Sequence, residues 1–151
     1  LGAAVGQKNR TKLDQIIKSC TELAFVTALS ISLVFWLTGS WIISLMSNVE
    51  LVKLEAEKYL IWAILAPIIS VWCYLLDGIF IGATRTTEMR NAMIISLFGF
   101  IVTWYVGEII LWEGAKNHGL WGALLTYFIL RALALNHYLP RLKALDSAKD
   151  N

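Results

Sequence analysis

The stretch Leu-Asp-Gly-Ile-Phe-Ile-Gly-Ala-Thr-Arg, residues 76–85, decides the fold, because it places an acid at the end of a long apolar run. Residues 59–76 contain no charged residue, and Asp77 follows them directly. A carboxylate within hydrocarbon costs about 2.5–3.5 kcal/mol on insertion scales, so an intramembrane acid points to a function. Gly78 and Gly82 form a small patch that lets a neighbouring helix approach closely. The stretch predicts a transmembrane helix that carries a functional acid.

The composition of the whole chain indicates a membrane protein. Of its 151 residues, 58% are hydrophobic and 16% are charged, whereas soluble domains carry about 25% charged residues. The formal net charge of +2 gives no indication of a nucleic-acid partner. We therefore expect an all-α, polytopic helix bundle whose partners are membrane lipids.

Four apolar runs are each long enough to cross a bilayer, which takes about 20 residues in a helix. The predicted transmembrane helices are residues 23–46, 59–83, 91–112 and 120–138. The segments outside them are predicted as the end of a preceding helix (1–6) and a cytoplasmic tail (139–151). Segment 7–19 is predicted as an amphipathic segment on the cytoplasmic surface, and the alternative is a solvated linker helix. Pro140 is expected to stop the last helix.

The distribution of basic residues predicts the orientation in the membrane. Nine lysines and arginines lie in segments 7–19, 84–91 and 136–151, and three lie in the two connectors of the opposite side. The positive-inside rule places the richer side in the cytoplasm. With four spans, both ends of the chain are then cytoplasmic.

The second span holds most of the candidate functional residues. Asp77 is a candidate for ion coupling, because it can be charged with a bound ion or protonated and neutral; the alternative is that it only satisfies Arg85. Ser70 and Tyr74 lie at helical spacing from Asp77 and are candidates for the same cavity, although a packing role suits each of them. Pro67, in the middle of the span, predicts a kink that serves as a hinge.

The third and fourth spans add packing residues and one charge. Gly99 and Gly107 belong to a stripe of small residues and are predicted to pack against another helix, as Gly78 and Gly82 are. Arg131 lies within the last span, where it either snorkels to the nearer surface or pairs with a buried acid or a lipid phosphate. Arg131 is thus a candidate buried charge partner.

The motifs of most enzymes and metal sites are missing from the sequence. It contains no Gly-rich phosphate loop, nucleophile elbow, HExxH pair or CxxC, so we predict no catalytic residues and a protein that is not an enzyme. Cys20 and Cys73 are expected to be plain apolar residues. His118 and His137 have no partner at metal-ligand spacing, so neither a metal nor a cofactor is predicted.

Several stretches resemble the multidrug and toxic compound extrusion (MATE) family, and within it the DNA-damage-inducible protein F branch. The most specific are residues 76–85 and the Glu-Met-Arg-Asn that follows at 88–91. The segments 2–10, 117–121 and 130–133 are similar to the family pattern in the same order.

This resemblance implies a twelve-helix antiporter of two six-helix lobes, in which the chain supplies four helices of the second lobe. Such a transporter sits in the bacterial cytoplasmic membrane and exports amphipathic or cationic small molecules, driven by sodium ions or protons. Its N-terminal lobe would be the partner of this chain. An aspartate of the tenth family helix takes part in cation coupling, and Asp77 matches it.

Two other functions are compatible with a helix bundle of this kind. A flippase for lipid-linked oligosaccharides has a related fold but needs several arginines in its cavity, and the spans contain Arg131 alone. A small structural or channel-forming membrane subunit is the second alternative.

Overall fold

The computed structural model describes residues 10–111 and 116–145, and this part of the chain consists of four helices joined by short connectors. The helices are α1 (Arg10–Met46), α2 (Glu50–Gly82), α3 (Thr86–Ile110) and α4 (Lys116–Leu145). All four are long and apolar enough to cross a membrane. The predicted all-α bundle of four transmembrane helices is confirmed.

The helices extend beyond the predicted apolar spans at several ends. Residues 10–19, expected to lie along the surface, continue into the first span as one helix, α1. The polar connector before the second span is also mostly helical, since α2 begins at Glu50. Extending an existing helix costs less than nucleating a new one, and no glycine or proline interrupts either segment. The segment 1–6 lies outside the described residues.

The last helix does not stop at Pro140, so that prediction is wrong. Helix α4 continues through Pro140 to Leu145. A proline inside a helix loses one backbone hydrogen bond and crowds the preceding turn. Beyond it, Leu142 is buried in the main apolar cluster, and this burial favours continuation of the helix. Of the predicted tail, residues 146–151 lie outside the described part.

The turn between α2 and α3 is tight and strained at one residue. Thr84 has a φ of 58°, a left-handed conformation that costs a non-glycine residue about 1–2 kcal/mol. The turn closes with a hydrogen bond from the amide of Arg85 to the carbonyl of Phe80, at 2.9 Å. The turn reverses the chain within three residues, so α3 returns across the membrane beside the bundle.

Helix α2 is central, because it packs against both α1 and α4, while α3 packs mainly on α4. An apolar cluster joins α2, α3 and α4 near the end of α2; its fully buried members include Leu76, Phe80, Ala92 and Leu135. The outer faces of α1 and α3 expose apolar side chains such as Trp41 and Phe98. Those faces suit contact with lipid tails.

The four glycines predicted for helix packing have different surroundings. A Cβ at Gly99 would overlap the side chain of Leu130, and one at Gly107 would lie 3.5 Å from the Cα of Gly119, so both positions touch α4. A Cβ at Gly78 would meet nothing within 4 Å. Gly82 is half-buried at the end of α2. The close contact therefore runs between α3 and α4, and Gly78 faces open space in the described part of the chain.

Candidate functional site

A buried ion pair joins α2 to α4 at the acid that the sequence singles out. Arg131 Nε donates a hydrogen bond to Asp77 Oδ1 at 3.1 Å, and Arg131 Nη2 lies 3.0 Å from Asp77 Oδ2. The two nitrogens thus meet the two carboxylate oxygens in the bidentate geometry that arginine favours. Each residue is only 9% exposed. Both charges are therefore held inside the bundle.

Tyr127, one turn before Arg131 on α4, completes the cluster. The remaining terminal nitrogen, Arg131 Nη1, donates a hydrogen bond to the Tyr127 hydroxyl at 2.6 Å. The guanidinium carbon also lies 5.8 Å from the centroid of the Tyr127 ring, which is within the range of a cation–π contact. Arg131 is held by an anion on one side and by a neutral phenol on the other.

The alternative partner for Asp77, Arg85, has an acid of its own. Arg85 Nη1 lies 2.6 Å from Glu88 Oε1 across the turn between α2 and α3. This pair is partly exposed, whereas the Asp77–Arg131 pair is buried. The charge that compensates Asp77 therefore comes from another transmembrane helix.

The other predicted cavity residues lie in a separate space. A cavity of about 770 Å³ opens between α1 and α2 and is closed at one side by Trp121 and Phe128 of α4. Pro67, Ser70 and Tyr74 line it, and Asp77 does not belong to its wall. The predicted group of Asp77, Tyr74 and Ser70 is thus divided between an ion pair and a cavity on the same helix.

The cavity wall is apolar with a few small polar groups. Ser70 is buried, and Tyr74 is 60% exposed with its ring 5.6 Å from that of Phe128. Thr27 of α1 contributes a hydroxyl that donates to the carbonyl of Leu23. A space of this kind suits the hydrophobic part of a small molecule.

Sequence reasoning missed two groups of residues that the fold brings together. Tyr127 lies four residues before Arg131, and this helical spacing was the available signal. The second group joins Trp62 of α2 to His118 of α4 through a hydrogen bond of 2.8 Å. No local sequence pattern predicts a contact between residues so far apart in the chain.

The structure contains no group of three His, Cys, Asp or Glu side chains able to hold a metal ion within residues 10–111 and 116–145. Cys73 is buried beside the ion pair, Cys20 is exposed on α1, and both are free thiols.

Comparison with known proteins adds evidence of a different kind. The sequence model of the MatE family matches residues 1–110. The chain is also 40% identical, over 134 residues, to the DNA damage-inducible protein F of Escherichia coli (strain K12). The aligned part covers 89% of this chain but 28% of that relative, so the chain spans little more than a quarter of the relative's length. No solved structure matches the chain.

Proposed function

Because the chain belongs to the MatE family of multidrug and toxic compound extrusion proteins, we propose that it forms part of a cation-coupled antiporter. The transporter exports amphipathic or cationic compounds in exchange for sodium ions or protons. The four helices contribute to its second lobe, and the first lobe is their partner. Family membership and four membrane-spanning helices support a multi-pass membrane transporter; the coupling and the substrate class are our inference.

The observation that carries the coupling proposal is the buried Asp77–Arg131 pair. Ionisable side chains in membrane spans are costly and mark ion or substrate pathways. Here an acid and a base on two different helices neutralise each other at distances of 3.0 and 3.1 Å. The contact therefore depends on both the charge of Asp77 and the relative position of α2 and α4.

A coupling cation competes with Arg131 for the same carboxylate. When a proton or a sodium ion binds Asp77, the negative charge that holds the guanidinium is cancelled. A protonated carboxyl group is neutral and no longer attracts the guanidinium, and a bound sodium ion repels it in a medium of low dielectric constant. Arg131 then keeps its contact with Tyr127 and moves away from Asp77. Cation binding on α2 thereby loosens α2 from α4.

The cavity between α1 and α2 provides a place for the apolar part of a substrate. It shares α2 with the ion pair: Tyr74 lines the cavity and Asp77 follows one turn later. Pro67 lies inside α2 and also lines the cavity. A movement of α2 relative to α4 therefore changes the cavity and the ion pair together, and this links cation binding to substrate release.

We place the protein in the bacterial cytoplasmic membrane with both ends of this chain in the cytoplasm. The support for this orientation is the excess of basic residues in segments 7–19, 84–91 and 136–151. The Trp62–His118 contact then lies toward the outer surface, and the Asp77–Arg131 pair lies closer to the cytoplasm.

Dye efflux by the full-length protein tests the coupling role. The informative variant is the double substitution Asp77→Asn with Arg131→Gln, because it removes both charges and leaves neither buried alone. We expect normal abundance in the membrane and loss of efflux driven by an imposed pH or sodium gradient. The control is Glu88→Gln, which breaks the partly exposed pair with Arg85 and should leave efflux unchanged.

Gradient-driven efflux at the wild-type rate in the double variant would contradict the coupling role. The pair would then serve only to join α2 to α4. Equal loss of efflux in the Glu88→Gln control would also contradict it, because the effect would not be specific to the buried pair.

A further inference from the structure

A second polar contact joins α2 to α4, away from the ion pair. The indole nitrogen of Trp62 donates a hydrogen bond to His118 Nδ1 at 2.8 Å. The ring of Tyr59 packs on the same imidazole, with 4.7 Å between ring centroids. His118 is partly buried in the first turns of α4. The contact holds the beginning of α4 against α2.

The hydrogen bond requires a neutral imidazole. An indole N–H is a donor only, so the histidine nitrogen that faces it must be unprotonated. A protonated histidine carries an N–H on both ring nitrogens and offers no acceptor, whichever way the ring is turned. Protonation of His118 therefore replaces a hydrogen bond by two donors that face each other.

The charged groups around this contact lie on three helices. Helix α2 contributes Glu55, which forms a pair of 2.7 Å with Lys58 and accepts a hydrogen bond from Tyr59 at 3.3 Å. Helix α4 contributes Lys116, and Lys116 is paired at 3.0 Å with Glu108 of α3. Carboxylates and lysines ordinarily keep their charge between pH 5 and 8, whereas histidine changes its charge in this range.

A protonated His118 is attracted to a different part of α2. Tyr59, whose ring packs on His118, donates a hydrogen bond to Glu55, and Glu55 precedes Trp62 by seven residues, about two helical turns. Against this attraction, the N-terminal end of a helix disfavours a positive charge. Of the two effects, the attraction to Glu55 is the one that draws the imidazolium along α2 and away from Trp62.

We propose that Trp62 and His118 form a pH-sensitive latch, which fastens α4 to α2 when His118 is neutral and releases it when His118 is protonated. The latch opens in acid and closes at neutral or higher pH. It rests on the geometry of this contact and does not depend on whether Asp77 couples to a cation. If the orientation proposed above holds, the latch responds to the pH outside the cell.

The test measures the hydrogen bond and the helix distance in the full-length protein, reconstituted in lipid nanodiscs. The indole N–H signal of Trp62, assigned by Trp62→Phe, reports the bond in NMR spectra. Spin labels at the exposed positions 57 and 117, in a background without native cysteines, report the distance between α2 and α4. Both are recorded from about pH 5 to about pH 8, the range in which histidine titrates.

We expect the Trp62 signal and the label distance to change together as the pH is lowered. His118→Gln offers a carbonyl acceptor that does not titrate, and it should keep the closed distance at every pH. Trp62→Phe removes the donor and should show the open distance at every pH. His137→Gln is the matched control, because His137 is the other histidine of the chain and is exposed on the same helix; it should titrate as the wild type does.

Three results would each overturn the latch. The first is a Trp62 signal or a label distance that does not change with pH in the wild type. The second is a pH transition that persists in His118→Gln, since another group would then be responsible. The third is loss of the transition in His137→Gln.

Discussion

Removing one charge of the Asp77–Arg131 pair should destabilise the transporter far more than removing both. In Asp77→Asn, the guanidinium loses the negative charge of its partner and one of the two oxygen acceptors at 3.0 and 3.1 Å, and it keeps the Tyr127 hydroxyl at 2.6 Å and one amide oxygen. Arg131 is 9% exposed, so water does not replace the lost contacts. Breaking a buried pair in this way costs about 3–5 kcal/mol. We expect the free energy of unfolding of Asp77→Asn to fall by this amount.

The opposite single substitution should be milder. Arg131→Gln leaves Asp77 without its partner, but a carboxyl group can take up a proton and become neutral, whereas arginine cannot lose its charge in proteins. We therefore expect Arg131→Gln to cost less than Asp77→Asn. The double variant contains no buried charge at this place, and replacing both members of a buried pair is often nearly neutral. The free energy of unfolding of the double variant should lie within about 1 kcal/mol of that of the wild type.

Thermal unfolding of the purified full-length protein in detergent measures these differences, with all four proteins compared under one condition. The non-additivity of the two single substitutions gives the coupling energy of the pair. Glu88→Gln serves as the control, because an ion pair near the surface contributes about 1 kcal/mol or less. Single variants as stable as the control, or single effects that simply add up in the double variant, would refute a buried pair between α2 and α4.

The remaining predictions concern topology and packing. In a background without native cysteines, a cysteine at Asn48 should react with an impermeant reagent from outside and one at Thr86 only from inside; outside labelling at Thr86 would contradict the orientation. In the isolated chain, Gly78→Ala should raise the free energy of unfolding by about 1 kcal/mol through helix propensity. Gly99→Ala should be less favourable than Gly78→Ala, because its Cβ would force the Leu130 side chain to move; equal effects would contradict the packing described. Leu142→Ala should cost about 2–5 kcal/mol in an unfolding assay if α4 buries that residue beyond Pro140, and no effect would contradict a continued helix.

The fold was predictable because a membrane limits the structures that a spanning segment can adopt. Apolar runs of about 20 residues between charged segments have to cross as helices, and the four helices follow from that requirement alone. Their ends were less predictable, since hydropathy marks where a chain leaves the apolar layer and not where hydrogen bonding ends. Helix α2 therefore begins at Glu50, nine residues before its apolar run.

The candidate site was predictable residue by residue but not as an arrangement. Asp77 and Arg131 each stand out because a charge in an apolar span is rare, yet 54 residues separate them in the chain. Their contact depends on α2 packing against α4, and no sequence period encodes that packing. The same reason explains why Trp62 and His118 were not recognised as partners.

The two polar contacts between α2 and α4 divide this interface into two ends. Trp62 and Asp77 are fifteen residues apart on α2, and His118 and Arg131 are thirteen apart on α4, about 22 and 20 Å along the helix axes. The two helices therefore run in the same direction, with the contacts at matching depths. Pro67 lies between the two contact points on α2.

In the two proposals, each contact between α2 and α4 responds to a cation in a different way. A cation bound to Asp77 cancels the charge that holds Arg131, and a proton on His118 removes the acceptor that holds Trp62. Both events weaken the hold of α4 on α2, one at each side of the proline. If α2 bends at Pro67, its two halves are released by separate binding events, so the ends of the cavity need not open together. In the proposed antiporter, separate release of the two contacts would let the two ends of the cavity open at different times, which a single contact between α2 and α4 would not provide.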